Sequence, residues 1–141
     1  MATEKELITA AKQAAEHSYA PYSGFRVGAA LLAASGKIYT GANIENASYG
    51  ASVCAERTAF FQAILAGEVN FTAIAVFGGE NFCPPCGICR QVMSEFCAPD
   101  FRVLLCHDQE IRSFSLKDLL PMAFRMEQKG REDDNADGRF D

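Results

Sequence analysis

The spacing of apolar and polar residues predicts an N-terminal helix followed by a β-hairpin. A capping box at residues 3–6 (TEKE) predicts where the helix begins. Apolar residues then recur at helical spacing as far as about Ser18: Leu7, Ile8, Ala11, Ala14 and Ala15. Residues 25–33 and 37–44 are apolar and β-rich, and a short Ala-Ser-Gly turn at 34–36 joins them. This pattern predicts two antiparallel strands.

The middle of the chain predicts a helix, a buried strand and a second helix. The first of these helices begins near Cys54 and ends at Gly67. Residues 71–77 form a continuous apolar run typical of a fully buried strand, and the glycine pair at 78–79 ends it. A loop then leads to a helix over about residues 87–96.

The remaining elements complete a mixed sheet with helices on its faces. Residues 101–106 predict a strand, and the two-residue turn at 108–109 leaves room only for a short antiparallel strand over 110–114. Residues 115–124 have a helical pattern in which Pro121 limits the regularity. The order of hairpin, helix, strand, helix and strand indicates an α/β fold.

Length and composition predict one domain followed by a polar tail. A chain of 141 residues with 49% hydrophobic content is long enough for one sizeable core. We assign residues 1–126 to this domain. Residues 127–141 (EQKGREDDNADGRFD) are charged and almost without apolar side chains, so we expect a disordered acidic tail.

The composition also favours a cytoplasmic protein that acts on a small molecule. The chain has no apolar run of the roughly 20 residues that span a bilayer, and its start (MATEKE) has charges where a signal peptide needs apolar residues. In a reducing compartment, the six cysteines indicate metal binding or buried thiols. A formal net charge of −5 counts against nucleic-acid binding, which needs clustered basic residues. We therefore expect neither a membrane nor a nucleic-acid partner.

Two cysteine motifs carry the chemistry of this sequence. Cys54 lies two residues before Glu56, and Cys86 and Cys89 form a C-x-x-C pair some thirty residues later. Three thiolates can bind Zn²⁺ and leave its fourth position open to water, whose protons a nearby carboxylate can move. Both motifs fall where a strand is followed by a helix N-terminus, which helps to keep thiols deprotonated.

The spacing alone also fits a structural zinc site with four protein ligands. The candidates for its fourth ligand are Cys83, Cys97, Cys106 and His107. Cys83 and Cys86 moreover form a second C-x-x-C pair. Glu56 favours a catalytic site. Arg57 and Arg90 also favour one, because they closely follow thiolate positions and can offset the net negative charge of a zinc ion with three thiolate ligands.

Four motifs together resemble the small homotetrameric zinc-dependent cytidine deaminases. These are PYSGFRVGAA at 21–30, GANIENASYG at 41–50, CAERTA at 54–59 and PCGICRQ at 85–91. The Cys₃ site with a non-ligand glutamate is itself a known deaminase signature. The resemblance extends over about residues 3–125 and implies a three-layer α-β-α fold, with a five-stranded mixed sheet whose last strand is short and antiparallel.

The resemblance also implies a role for each site residue. Cys54, Cys86 and Cys89 would bind one Zn²⁺ per chain, with Arg57 and Arg90 close by, and Glu56 would transfer protons. The residues expected to contact substrate within one chain are Phe25 at the pyrimidine, Asn43 and Glu45 at the ribose hydroxyls, and the backbone of Ala55 near the amino group. Those expected to reach a neighbouring subunit's pocket are Ala47, Tyr49 and Phe124.

The expected activity is hydrolytic deamination of cytidine and deoxycytidine to uridine and deoxyuridine, a reaction of pyrimidine salvage. The expected assembly is a homotetramer with active sites shared between subunits. Two alternatives stay open at this point. One is a deaminase of a modified nucleoside or nucleoside antibiotic, and the other is a non-catalytic, zinc-stabilised assembly module.

Overall fold

A computed structural model describes residues 2–129 of the chain. Its centre is a five-stranded mixed sheet with the strand order β2-β1-β3-β4-β5. The strands are β1 (Val27–Ala33), β2 (Ile38–Ala42), β3 (Phe71–Gly78), β4 (Arg102–His107) and β5 (Glu110–Ser115). β3 and β4 pair in parallel, and the other neighbours pair antiparallel. The predicted α/β class and five-stranded mixed sheet are therefore confirmed.

Helices cover both faces of the sheet, as the three-layer prediction required. They are α1 (Glu4–Ala15), α2 (Ala55–Leu65), α3 (Gly87–Phe96) and α4 (Leu116–Leu119). α1 packs on one face through Leu7, Ile8 and Ala11. α2 and α3 pack on the other face, where Phe60 and Met93 are fully buried. Because β1 lies between these two cores, all seven of its residues are buried.

Two glycines allow the helices to approach the hairpin closely. A Cβ atom at Gly28 would lie 2.0 Å from the carbonyl oxygen of Ala11 in α1. A Cβ atom at Gly41 would lie 2.4 Å from both the carbonyl oxygen of Ala55 and the amide nitrogen of Ala59 in α2. The contact at Gly41 places the N-terminus of α2 directly against β2.

Most element boundaries agree with the sequence pattern to within a few residues. The capping box at Thr3 is present, because its side chain accepts from the Glu6 amide while Glu6 accepts from the Thr3 amide. α1 nevertheless ends at Ala15 instead of near Ser18. α3 spans the predicted residues. A short 3₁₀ helix over Tyr49–Ala51 was not predicted.

The helix predicted over residues 115–124 is wrong in its second half. α4 covers only Leu116–Leu119, and Leu120 leaves the helical region at φ −143° and ψ 72°. The reason is Pro121, whose ring disfavours helical geometry in the residue before it. Residues 121–129 contain no helix or strand, and Met122 adopts a positive φ of 52°.

The predicted tail lies largely outside the described residues, which end at Lys129. Within the described part of it, Gln128 donates to the carboxylate of Glu95 in α3. The expectation of a disordered tail at 130–141 stays a prediction. Among residues 2–129, no helix is both long and apolar enough to cross a bilayer.

Candidate active site

Three cysteine sulfurs meet where α2 and α3 begin. Cys54 is the N-cap of α2, Cys86 is the N-cap of α3, and Cys89 lies in the first turn of α3. Their Sγ atoms all lie within 4.8 Å of one another, and those of Cys54 and Cys86 are 3.7 Å apart. A tetrahedral site with Zn–S bonds of about 2.3 Å has S···S edges of about 3.8 Å. The donor set therefore fits zinc with three protein ligands.

The charges around these sulfurs favour a bound cation. A hydrogen bond from Cys89 is the largest cause that lowers the pKa of Cys54, to about 5, and an Arg57 hydrogen bond adds to it. The same contact raises the pKa of the Cys89 thiol. Binding of a metal ion displaces thiol protons and would allow both groups to ionise.

Arg57 is placed to offset the charge of the thiolates. Its Nη2 atom donates to the Sγ atom of Cys54 at 3.4 Å. The Nε atom of Arg57 is buried and has no hydrogen-bond partner among the described residues. The guanidinium therefore faces the sulfur cluster, as the sequence pattern suggested.

Among the described residues, the other candidate ligands do not belong to the sulfur cluster. Cys83 is half-buried and does not join the three sulfurs in the described part of the chain. Burial raises the pKa of Cys83 to about 11. Cys97 is a core residue, the thiol of Cys106 donates to the carbonyl of Val76, and His107 packs edge-on against Phe82.

Glu56 lies in the first turn of α2, two residues after Cys54. It is 4% exposed, which is exceptional for a carboxylate. Burial is the main reason why its pKa rises to about 7, and the negative charge of Cys54 contributes. A carboxyl group with a pKa near neutrality can both accept and donate a proton under physiological conditions.

Arg90 contacts backbone carbonyls instead of a thiolate. Its Nε atom donates to the carbonyl of Pro85, and its Nη1 atom donates to the carbonyl of Leu119, both at 2.8 Å. Sequence reasoning placed Arg90 near the metal but had no signal for these partners. They depend on how the end of α4 packs against α3.

Asn43 and Glu45 organise the loop that precedes β1. The Oδ1 atom of Asn43 accepts from the amide of Val27 at 2.8 Å, and its Nδ2 atom donates to the carbonyl of Phe25 at 2.7 Å. Glu45 accepts from the amides of Tyr22 and Ser23 at 3.0 and 3.1 Å.

Two serines complete these contacts and were missed in the sequence. Ser18 donates to the Oδ1 atom of Asn43, and the hydroxyl of Ser23 donates to the carboxylate of Glu45. The Ser23 contacts hold the pKa of Glu45 below its usual value. Membership of the PYSG motif was the only feature of the sequence that could have indicated a role for Ser23. No feature of the sequence indicated a role for Ser18.

Phe25 packs on the loop that leads to Cys86. A Cβ atom at Gly79, which has a φ of +69°, would lie 2.3 Å from the Phe25 ring. Phe25 also lines a groove of about 820 Å³ between α1 and this loop, and the described lining includes none of the three zinc cysteines. Ala55 is fully buried directly after Cys54.

The residues expected to reach a neighbouring subunit are exposed in the single chain. Tyr49 is 86% exposed and Phe124 is 69% exposed, and Ala47 lies in the same exposed loop as Tyr49. Glu45 and Tyr49 line one cavity of about 370 Å³.

Known proteins share both the sequence and the metal motif of this chain. A family model described as the cytidine and deoxycytidylate deaminase zinc-binding region matches residues 1–105. A cytidine deaminase from Halalkalibacterium halodurans is 51% identical, covering 86% of this chain and 93% of that protein. One from Sporosarcina psychrophila is 48% identical, covering 87% and 92%.

Solved structures share the fold over nearly the same region. The crystal structure of cytidine deaminase from Burkholderia pseudomallei has a TM-score of 0.83 and 52% identity, covering 87% of this chain and 100% of that chain. The structure of cytidine deaminase from Mycobacterium tuberculosis has a TM-score of 0.77 and 38% identity, covering 89% and 100%.

Proposed function

The chain belongs to the zinc-dependent cytidine deaminases, and from this membership we propose what each residue of its site does. The protein is a hydrolase that removes the amino group of cytidine. We assign Cys54, Cys86 and Cys89 as the zinc ligands and Glu56 as the residue that transfers protons. The observation that carries this proposal is the sulfur cluster at two helix N-termini with the buried Glu56 beside it.

Zinc supplies Lewis acidity, which lowers the pKa of water so that hydroxide forms near neutral pH. Glu56 accepts the proton of the attacking water and passes it to the ring nitrogen N3 as oxygen adds to C4. It then takes the proton of the hydroxyl group formed at C4 and carries it to the amino group, so that the C4 carbonyl forms as the C4–N bond breaks and ammonia leaves. Such positioned proton transfer contributes about 10²–10⁴-fold to the rate.

The loop that Asn43 and Glu45 organise is the proposed nucleoside site. Two features support this: Glu45 shares a cavity with Tyr49, and Asn43 holds the backbone beside Phe25. Asn43 and Glu45 would hydrogen-bond the ribose hydroxyls, and Phe25 and the backbone of Ala55 would contact the pyrimidine. Deoxycytidine retains the 3′-hydroxyl, so we propose it as a second substrate.

We also propose a cytoplasmic homotetramer whose active sites are shared between subunits. α2 carries apolar residues on its outer side as well as its inner one, since Phe61 and Leu65 are exposed opposite the buried Ala59 and Phe60. Large apolar side chains exposed on a helix are typical of a surface that packs against another protein. The six free cysteines fit a reducing compartment.

A deamination assay tests the proposed substrate class. The purified protein should convert cytidine and deoxycytidine, and it should act poorly on CMP because the described site has no clustered basic residues to bind a phosphate. Loss of the cytidine absorbance band measures turnover. Comparable kcat/KM values for CMP and cytidine would refute the assignment to free nucleosides.

A further inference from the structure

The helix that carries two zinc ligands also holds the C-terminal segment of the domain. We call residues 119–128 the strap. The Nη1 atom of Arg90 donates to the carbonyl of Leu119 at 2.8 Å, and the Nε2 atom of Gln91 donates to the carbonyl of Phe124 at 2.9 Å. Gln128 donates to Glu95 further along α3. Side chains at Arg90 and Gln91, near the start of α3, and at Glu95, near its end, therefore contact the strap.

Arg90 differs from the other two contacts because it also holds the backbone around Cys86. Its Nε atom donates to the carbonyl of Pro85 at 2.8 Å, and its backbone amide donates to the carbonyl of Cys86 at 3.0 Å. Pro85 is fully buried, and Cys86 is the N-cap of α3. The amide bond is the ordinary first backbone hydrogen bond of α3, whereas the guanidinium joins the carbonyl of Pro85, one residue before a zinc ligand, to the strap.

We propose that Arg90 is a positioning residue that couples zinc retention to docking of the strap. The inference rests on the proposed zinc ligands. A planar guanidinium can donate to two carbonyls in different directions from one rigid group, whereas a lysine ammonium is a single point on a flexible stem. When the strap is docked, the Leu119 carbonyl orients the guanidinium. The guanidinium in turn holds the Pro85 carbonyl, and through it the peptide that leads into Cys86, in the geometry that binds zinc.

The coupling is reciprocal, since a strap that favours zinc binding must itself be favoured by zinc. Removal of zinc from the wild-type protein with a chelator should therefore accelerate amide hydrogen exchange in residues 119–128. This measurement needs no substitution. Unchanged exchange in the strap after complete zinc removal would overturn the proposal.

Arg90→Lys directly tests the proposed role of the guanidinium, which donates to the carbonyls of both Pro85 and Leu119. Loss of contacts that orient a metal ligand typically weakens metal binding by about 10–100-fold, so zinc release to a chromogenic chelator should accelerate by about 10-fold or more. The absorption bands of the Co²⁺-substituted protein should also shift, because they report the ligand geometry. A wild-type release rate with an unchanged Co²⁺ spectrum would overturn the proposal.

Gln91→Ala is the matched control. It removes the contact at Phe124 and leaves both side-chain hydrogen bonds of Arg90 intact. Amide exchange should therefore rise only at the Phe124 end of the strap, while exchange at the Leu119 end and zinc release both stay at their wild-type rates. Zinc release as fast as in Arg90→Lys would overturn the assignment of the coupling to Arg90. The zinc content of the wild-type protein separates the two proposals. A wild-type protein that binds no zinc overturns both, whereas normal zinc with an unaffected Arg90→Lys variant overturns only the coupling.

Discussion

Asn43 and Glu45 have two roles at the proposed site: they hold the loop before β1, and we propose that they contact ribose. Their side chains hold Val27, Phe25, Tyr22 and Ser23 in place, so each contributes to the shape of the loop before β1. Direct contact with ribose, which we propose, would come in addition to these bonds. Substitution of either residue should therefore disturb the Phe25 loop as well as substrate binding. Loss of activity in such variants would not by itself measure a ribose hydrogen bond.

Variants at Cys83 and Cys86 distinguish a proposed zinc ligand from a neighbouring thiol that we do not assign as one. Cys86→Ala should lose zinc, because it removes one of three clustered sulfurs, whereas Cys83→Ala should keep one zinc per chain. The zinc content, measured by mass spectrometry of metals, checks both variants. Loss of zinc from the Cys83 variant alone would show that the ligand set includes Cys83.

Glu56→Gln should retain zinc and the fold but lose at least about 10²-fold in kcat, since the amide is similar in shape and cannot transfer protons. Glu110→Gln, at an exposed carboxylate in β5, is the control for loss of a negative charge. Steady-state kinetics and zinc content of both variants provide the measurement. Near-normal turnover in Glu56→Gln would remove Glu56 from the mechanism.

At the scale of elements, the site depends on where α2 begins. Gly41 lets the carbonyl of Ala55 and the amide of Ala59 lie against β2. Gly41→Ala should push α2 away and lower the free energy of unfolding by about 1–3 kcal/mol, the usual cost of overpacking. Because Cys54 precedes Ala55, zinc affinity should fall as well. Denaturant unfolding and zinc titration measure the two effects.

Gly50→Ala is the control for Gly41→Ala. A Cβ atom at Gly50 would meet nothing within 4 Å, so the free energy of unfolding should change little. If the two variants were equally stable, the close approach of α2 to β2 would not constrain the site.

Elements with a clear period could be predicted from the sequence, and contacts between distant segments could not. Buried apolar runs indicated β3 and β4, and the capping box marked α1. The helical pattern after β5 misled because Pro121 ends the helix at Leu119, whereas the prediction let Pro121 only reduce its regularity. The hydrogen bond from Arg90 to Leu119 joins residues 29 positions apart, so the local spacing of apolar and polar residues does not indicate it.

At the scale of the whole molecule, the motifs located the metal centre because all three cysteines lie at helix starts that the pattern predicts. The described chain leaves Tyr49 and Phe124 exposed, so one chain alone does not account for these aromatic residues. Exposed aromatic side chains are typical of surfaces that bind other proteins. We propose that a second copy of this chain covers the surface that carries Tyr49 and Phe124.

Mixing two defective variants tests the shared active site. Phe124→Ala should raise KM by about 10-fold, because an aromatic contact contributes about 0.5–1.5 kcal/mol beyond the area it buries. Glu56→Gln should be nearly inactive. In mixed oligomers, some sites would combine an intact Glu56 from one variant with an intact Phe124 from the other. After co-refolding, kcat/KM for cytidine should exceed the sum of the two separate variants. Oligomers that native mass spectrometry verifies as mixed, yet whose activity only equals that sum, would show that Phe124 acts within its own subunit.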